Sequence, residues 1–127
     1  MNYLYAPEFV IERQSIYQEL YSTIGNENRL AMFKDLKGLS TRLKSFDNPE
    51  IIIFLGVKWT VLKNIVAIKE LFLDAALIIL LSEDDQETLD AAISLRPKFV
   101  GMMTEDLDKI TPIIERLVRK NRSRYSS

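Results

Sequence analysis

Neither cysteine nor histidine occurs among the 127 residues of this chain. The absence of cysteine excludes disulfide bonds, thiolate metal sites and cysteine nucleophiles. The absence of histidine removes the commonest general base, the commonest metal ligand and the serine–histidine type of catalytic triad. A metal site would have to use carboxylates, which suit Mg²⁺ or Ca²⁺ rather than Zn²⁺. With no glycine-rich phosphate loop after the first strand either, we predict a binding protein without metal or cofactor rather than an enzyme.

The chain has no marked excess of positive or negative charge, because its 17 Lys and Arg residues nearly balance its 18 Asp and Glu residues. This balance gives no overall attraction to nucleic acid or to an anionic membrane. No segment reaches the ~18 apolar residues of a membrane span, and Met1-Asn2-Tyr3 does not begin a secretory signal. The default prediction is therefore a cytoplasmic protein. The low content of glycine and proline predicts one domain over residues 1–120, followed at 121–127 by a basic, polar tail or the start of a linker.

The most informative stretch is the unbroken apolar run from Ile51 to Leu55. An unbroken run is typical of a strand that is buried on both faces, as in the centre of a parallel sheet. In such sheets, ligands collect beyond the carboxyl ends of the strands. Here that end reads Leu55-Gly56-Val57, which offers no carboxylate, hydroxyl or amine. This lack of reactive groups also favours binding over catalysis.

Strands and helices alternate along the whole sequence. The predicted strands are Tyr3–Ala6, Leu30–Phe33, about Pro49–Val57, Ala76–Leu81 and Phe99–Met103. Helical spacing of apolar residues follows each strand, in the stretches Phe9–Ile24 (ended by Gly25), Leu36–Phe46, about Thr60–Leu73, Leu89–Leu95 and from Thr104 onward. Ser82 is a candidate N-cap or loop residue, and Pro112 should kink the last helix or delay its regular start. Five β-α units predict a flavodoxin-like, doubly wound sheet of five parallel strands in a three-layer α/β/α arrangement.

This layout resembles the receiver domain of two-component response regulators. The resemblance rests on Pro49-Glu50 before the apolar strand, on Leu77–Ser82, on the run Asp84–Ala92 and on Phe99–Met103. It implies that Leu55 stands at the phosphoacceptor position and Met102 at the position of the phosphate-pairing lysine. The acidic pair after the first strand falls near Ala6-Pro7-Glu8, which leaves at most Glu8. The other positions implied are the phosphate-contacting hydroxyl at Ser82 and the aromatic switch at Phe99.

The residues at which this sequence departs from the receiver pattern together remove the phosphorylation chemistry that the resemblance implies. Leu55 cannot attack phosphorus, one glutamate is a poor Mg²⁺ site, and Met102 supplies no charge. The predicted function is that of a degenerate receiver, or pseudo-receiver, which works in signalling or transcription through phosphorylation-independent protein contacts. The remnants of its pocket would be Glu8, Gly56, Ser82 and Met102. The alternative is a small-molecule sensor that uses the emptied pocket, with an apolar patch from Val57, Trp59, Met102 and Met103.

The predicted contact surface is the face formed by the fourth helix, the fifth strand and the fifth helix. Its candidate residues are Asp90, Ile93, Phe99, Ile110, Arg116 and Arg119. An acidic helix start opposite a basic helix end suits a self-complementary homodimer, and a separate protein partner is the other candidate. The basic tail has no interleaved aromatic residues, so we do not expect direct nucleic-acid binding. The resemblance also implies that an effector domain could follow the tail.

Overall fold

The computed structural model describes residues 1–24, 30–45 and 48–125, with side chains through Lys120. Its strands are β1 (Asn2–Tyr5), β2 (Leu30–Phe33), β3 (Ile51–Val57), β4 (Ala76–Leu81) and β5 (Phe99–Met102). Its α-helices are α1 (Arg13–Ile24), α2 (Leu36–Leu43), α3 (Trp59–Ala67), α4 (Gln86–Ser94), α5 (Met103–Asp106) and α6 (Ile110–Tyr125). Two short 3₁₀ helices follow α3 and α5, at Lys69–Phe72 and Leu107–Lys109.

The five strands form one parallel sheet in the order β2-β1-β3-β4-β5. The strand β3 lies in the middle, and all seven of its residues are buried. This burial explains the unbroken apolar run, because side chains on both faces of β3 meet helices rather than water. The predicted flavodoxin-like fold is confirmed.

Each face of the sheet has its own core. The helices α2, α3 and α4 pack on one face, over Phe54, Ile79 and their neighbours. The helices α1 and α6 pack on the other face, where their side chains enclose Ile53, Leu55 and Leu80. The sheet therefore separates two apolar layers, and Leu55 belongs to the layer beneath α1 and α6.

Two predicted helix boundaries are wrong. The helix α1 begins at Arg13 rather than Phe9, because the chain after Pro7 first forms turns, and Phe9 is 55% exposed outside the helix. The helix α3 ends at Ala67, and the chain continues as 3₁₀ helix to Phe72. The predictions for Gly25 and Phe46 fall outside the described residues.

The start of α4 decides between the two roles predicted for Ser82, N-cap or loop residue. The N-cap is Asp85, whose carboxylate accepts the backbone N–H of Thr88 at 3.1 Å, and Ser82 lies in the loop after β4. The last helix starts late, as predicted from Pro112. Pro112 is the third residue of α6, where its missing N–H breaks no helical hydrogen bond, and α5 and a 3₁₀ turn precede it. Among the described residues, no helix has the length and apolar character needed to cross a membrane.

Candidate functional site at the carboxyl ends of the strands

Apolar residues fill the position at which β1 ends beside β3. Tyr5, the last residue of β1, pairs with Phe54, so the residues that follow them, Ala6 and Leu55, are neighbours. Both Ala6 and Leu55 have no exposed surface, and Pro7 is buried beside them. These positions hold neither a nucleophile nor a carboxylate.

The loop after β1 covers the end of β3. Gly56 has a positive φ of 63°, and a Cβ atom at this residue would lie 3.1 Å from both Phe9 Cε2 and Val10 Cγ2. Glycine is favoured here for two reasons, because it tolerates this backbone conformation and leaves room for the loop. The end of the central strand is therefore closed by side chains rather than open to a ligand.

Backbone hydrogen bonds fix this covering loop. The Ala6 N–H donates to the Phe33 carbonyl at 2.8 Å, and the Val10 N–H donates to the Pro7 carbonyl at 3.0 Å. Arg13 Nε donates to the Ala6 carbonyl at 2.9 Å. The Lys58 ammonium lies 4.9 Å from the centre of the Phe9 ring, a cation–π distance. The loop is thus tied to β2, to α1 and to the residue before α3.

The Glu8 side chain is exposed to solvent and lies near a lysine. It is 74% exposed and lies 3.6 Å from Lys34 Nζ, beyond the end of β2. The receiver fold implies Mg²⁺ at these strand ends, but Ala6, Pro7 and Leu55 do not fit that ion. No group of three acidic side chains that could hold a metal occurs in the described part of the chain.

The end of β5 is held by Asp106. Its Oδ2 accepts the Met102 N–H at 2.8 Å, and its Oδ1 accepts from Lys109 Nζ at 2.7 Å. The hydrogen bond from Lys109, followed by that from Met102, lowers the pKa of Asp106 below its ordinary value. A Cβ on Gly101 would lie 2.6 Å from Asp106 Oδ2, so only glycine fits there without a shift. Asp106 therefore fixes the backbone at Met102, the residue at the position of the lysine in the receiver resemblance.

The two methionines at the end of β5 diverge. Met102 packs with the core beneath α4, and Met103 packs with the core beneath α6. Val57 is fully buried and Trp59 is half-buried at the start of α3. The four residues of the predicted apolar patch therefore do not form one exposed surface.

A groove of about 760 Å³ lies beside the covered strand end, between α1 and the segment from α5 to the start of α6. Gly56 and Ser82 line it, whereas Glu8 and Met102 do not. Ser82 is exposed, and its N–H donates to the Val57 carbonyl at 3.0 Å. Its other lining residues include four carboxylates, and no lysine or arginine. We call this surface the acidic groove, after the side chains of Glu12, Glu19, Glu105 and Asp108.

Most residues of the predicted contact face are at least partly exposed, and Ile110 is the exception. Ile110 is 2% exposed and belongs to the core beneath α6, so it cannot contact a partner. Ile93 is 54% exposed on α4, and Asp90, Arg116 and Arg119 are also exposed. Phe99 is half-buried on β5, which is an edge strand of the sheet. The contact role of these residues stays a prediction.

The sequence did not reveal the acidic groove or the hydrogen bond from the Met102 N–H to Asp106. A signal for the groove exists, because Glu12 and Glu19 are seven residues apart and so lie on one side of a helix. Their approach to Glu105 and Asp108 depends on the packing of α1 against α6, which sequence spacing does not give. The hydrogen bond from Thr111 Oγ1 to Glu19 Oε1, at 3.0 Å, joins the two helices at this surface.

No protein-family model matches this sequence, and no curated protein matches it significantly. Solved structures match nearly the whole chain. A signal receiver domain of a two-component histidine kinase from Clostridium thermocellum has 17% identity and a TM-score of 0.71, covering 92% of this chain and 96% of its own. The N-terminal domain of a response regulator/sensory box/GGDEF three-domain protein from Carboxydothermus hydrogenoformans has 12% identity and a TM-score of 0.68, covering 98% and 99%.

A third similar structure carries a different description. It is a candidate pilus assembly-related protein from Burkholderia pseudomallei, with 15% identity, a TM-score of 0.66 and coverage of 94% of this chain and 90% of its own. At such low identities, the comparisons establish the architecture alone. The chain has the fold of response-regulator receiver domains, and its function must be argued from its own residues.

Proposed function

We propose that this domain is a pseudo-receiver, which acts in two-component-type signalling or transcription regulation through protein contacts that do not depend on phosphorylation. The observation that carries the proposal is the burial of Leu55 beside Ala6 in a receiver fold. A receiver needs a carboxylate nucleophile and further carboxylates for Mg²⁺ at these positions, and the buried apolar side chains provide neither.

The end of β5 supports the same proposal. The family's lysine position holds Met102, which lacks the charge that would pair with a phosphoryl group. The nearby lysine, Lys109, is engaged by Asp106 at 2.7 Å. The proposed domain is therefore not an enzyme and needs no metal or cofactor for its role.

Incubation with a small phosphodonor and Mg²⁺, followed by intact-mass measurement, tests the proposal. We expect no phosphorylated species and no change in solution mass. A receiver domain that has its aspartate serves as the control and should be labelled in the same tube. Rapid labelling that disappears on replacing a single residue at the strand ends would show that another side chain has become the phosphoacceptor.

The proposed partner surface is the face of α4, β5 and α6. Ile93 is an exposed apolar residue, and β5 offers an unpaired strand edge beside it. Asp90 and Arg119 carry opposite charges on this face, so a second copy or another protein could bind there. The single variants Asp90→Lys and Arg119→Glu test self-association, and the double variant should restore what each single variant removes. Unchanged solution mass in both single variants would exclude a self-contact through these charges.

The proposed function also concerns the boundaries of the domain, its cellular location and the domain that could follow it. We propose a cytoplasmic domain over residues 1–120, with 121–127 as a tail or the start of a linker, although α6 itself continues to Tyr125. The similar structure from Carboxydothermus is the N-terminal domain of a three-domain protein. An effector domain following this chain would be a comparable arrangement.

The alternative function, a small-molecule sensor in an emptied phosphorylation pocket, gains no support at that pocket. Leu55 and Ala6 fill the position, and Phe9 and Val10 cover the glycine that follows Leu55. The neighbouring acidic groove shares Phe9, Val10 and Gly56 with this covered strand end, and most of its other lining residues come from α1 and from the segment that runs from α5 to the start of α6. Its charge and its exposed apolar residues suggest another occupant.

A further inference from the structure

We propose that the acidic groove binds a second copy of this chain in a head-to-tail contact. The part of the second copy that it binds is a basic surface at the amino ends of the strands. This inference rests on the proposed function, since it assumes that the domain acts through protein contacts, and it names the partner. The groove does not include Leu55, and the basic surface includes none of the at least partly exposed residues proposed above for the contact face, Asp90, Ile93, Phe99, Arg116 and Arg119.

The acidic groove has an excess of negative charge and exposed apolar side chains. Its four carboxylates face no lysine or arginine among the lining residues. Asp106, to which the Lys109 ammonium is bound at 2.7 Å, raises the pKa of Lys109 most, and Asp108 and Glu105 lie close enough to raise this pKa further. Lys58 lies 4.9 Å from the centre of the Phe9 ring. Ile11 is 90% exposed at the groove and Phe9 is 55% exposed. An occupant that combines positive charge with apolar surface would satisfy both features.

A surface with these properties lies at the amino ends of the strands. We call it the basic patch, and its cations are Arg96, Lys98 and Lys120, around a cleft of about 400 Å³. Leu73, which is 71% exposed, supplies the apolar side chain. Two acids, Glu50 and Asp74, also line the cleft, and Glu50 has an interaction of its own within the chain. The patch retains a net positive charge.

The two surfaces face opposite directions along the strands. Gly56 and Ser82 line the acidic groove at the carboxyl ends, whereas Ala76 and Lys98 line the basic patch at the amino ends. The helix α6 connects them, since Thr111 lies at the groove and Lys120 at the patch. Because the surfaces differ and point apart, one copy can join the next only head to tail, which gives an open series or a ring rather than a closed two-fold dimer.

Solvent-exposed charges make such a contact weak and sensitive to salt. Sedimentation of the intact chain over a range of concentrations should give an average mass above the monomer value of 14.7 kDa. This mass should rise with protein concentration and return to the monomer value in high salt. A monomer at all concentrations would overturn the proposal.

A charge exchange identifies the two surfaces. One variant carries Glu105→Lys and Asp108→Lys in the acidic groove, and a second carries Lys98→Glu and Lys120→Glu in the basic patch. In each variant alone, one of the two surfaces has lost its charge complementarity to the other, and we expect the association constant to fall at least about tenfold. In a one-to-one mixture, the natural groove of the second variant meets the natural patch of the first variant, so association should recover. A mixture that stays monomeric would overturn the proposal.

The matched control separates specific contact from general attraction. Each substitution changes the net charge by two, so the two variants have net charges of +3 and −5 against −1 for the natural chain. A control pair, Glu70→Lys with Glu83→Lys and Lys37→Glu with Lys63→Glu, carries the same net charges on exposed residues outside both surfaces. Each control variant should associate like the natural chain, because its groove and patch are intact. Loss of association in the control variants would assign the effect to net charge and overturn the proposal.

The outcome is independent of the phosphodonor experiment. Recovery of association in the charge-exchanged mixture stands even if the domain is found to accept phosphate. A dimer of fixed mass that resists salt and both charge reversals would point to the face of α4, β5 and α6, and would overturn only the head-to-tail contact.

Discussion

The Phe9 ring lies 3.1 Å from the point that a Cβ atom on Gly56 would occupy. This contact places the loop after β1 directly on the end of the central strand. In a functional receiver, the loop after β1 and the end of β3 would carry the carboxylates of the phosphorylation site. Closure of the strand end is thus built into the packing as well as into the residue types.

Replacing Gly56 with alanine should destabilise the domain by about 1–3 kcal/mol, because of the positive φ and the lack of space beside Phe9 and Val10. Urea unfolding measures this change. The same substitution combined with Phe9→Ala separates the two causes, since the backbone cost remains when the ring is removed. A fully additive pair would show that the ring contributes nothing to the penalty.

Introducing the missing carboxylate as Leu55→Asp should not restore phosphorylation and should reduce stability by at least about 3 kcal/mol, because this position has no exposed surface. Burial would raise the pKa of the new carboxyl group. The stability loss should therefore grow as the pH rises, relative to Leu55→Asn, in which nothing titrates. Equal stability of the two variants between pH 5 and pH 8, by urea unfolding, would contradict the burial of residue 55.

Stability should decrease in acid through Asp85 and Asp106. Hydrogen bonds from Thr88 lower the pKa of Asp85, and those from Lys109 and then Met102 lower the pKa of Asp106. A lowered folded-state pKa gives stability that is complete above the ordinary value of 3.8 and is lost as the pH falls below it. Thermal unfolding from pH 6 to pH 2.5 measures the slope. Asp85→Asn keeps an N-cap acceptor but should flatten part of this slope.

The two isoleucines Ile114 and Ile93 should respond differently to truncation. Ile114 is fully buried beneath α6, so Ile114→Ala should cost about 2–5 kcal/mol of unfolding free energy. Ile93 is 54% exposed, and Ile93→Ala should change stability by less than about 0.5 kcal/mol while weakening any partner bound to α4. Urea unfolding of both variants gives the comparison. A large stability loss for Ile93→Ala would place this residue in the core and remove it from the contact face.

The sheet was predictable because its strongest signals are apolar runs. Leu30–Phe33 and Ala76–Leu81 were located correctly, and β3 ends at the predicted Val57. Helix starts were less predictable, because apolar residues at helical spacing can belong to the preceding loop. Phe9 fits the spacing of α1 but packs on Gly56 instead, and only the folded chain brings these two residues together.

The candidate site was predictable where it depends on residue type, and not where it depends on packing. The position of Leu55 follows from the pattern of the strand. Three features depend on contacts between distant segments. They are the pairing of Glu8 with Lys34, the packing of Met102 and Met103 in different cores, and the assembly of the acidic groove. Choosing Asp85 over Ser82 as the cap of α4 likewise requires the backbone geometry, because several polar residues precede that helix.

The pairing of α1 with α6 on one face of the sheet sets the order in which the domain can be completed during synthesis. The apolar side chains of α1, Ile16, Leu20 and Ile24, share their core with Ile110, Ile114 and Val118 of α6. A nascent chain therefore carries a half-covered sheet until its last helix leaves the ribosome. A chain stopped after Lys109 should bind an apolar dye that the full domain excludes, and equal dye binding by both would contradict this order. Docking of α6 therefore completes the burial of this apolar layer.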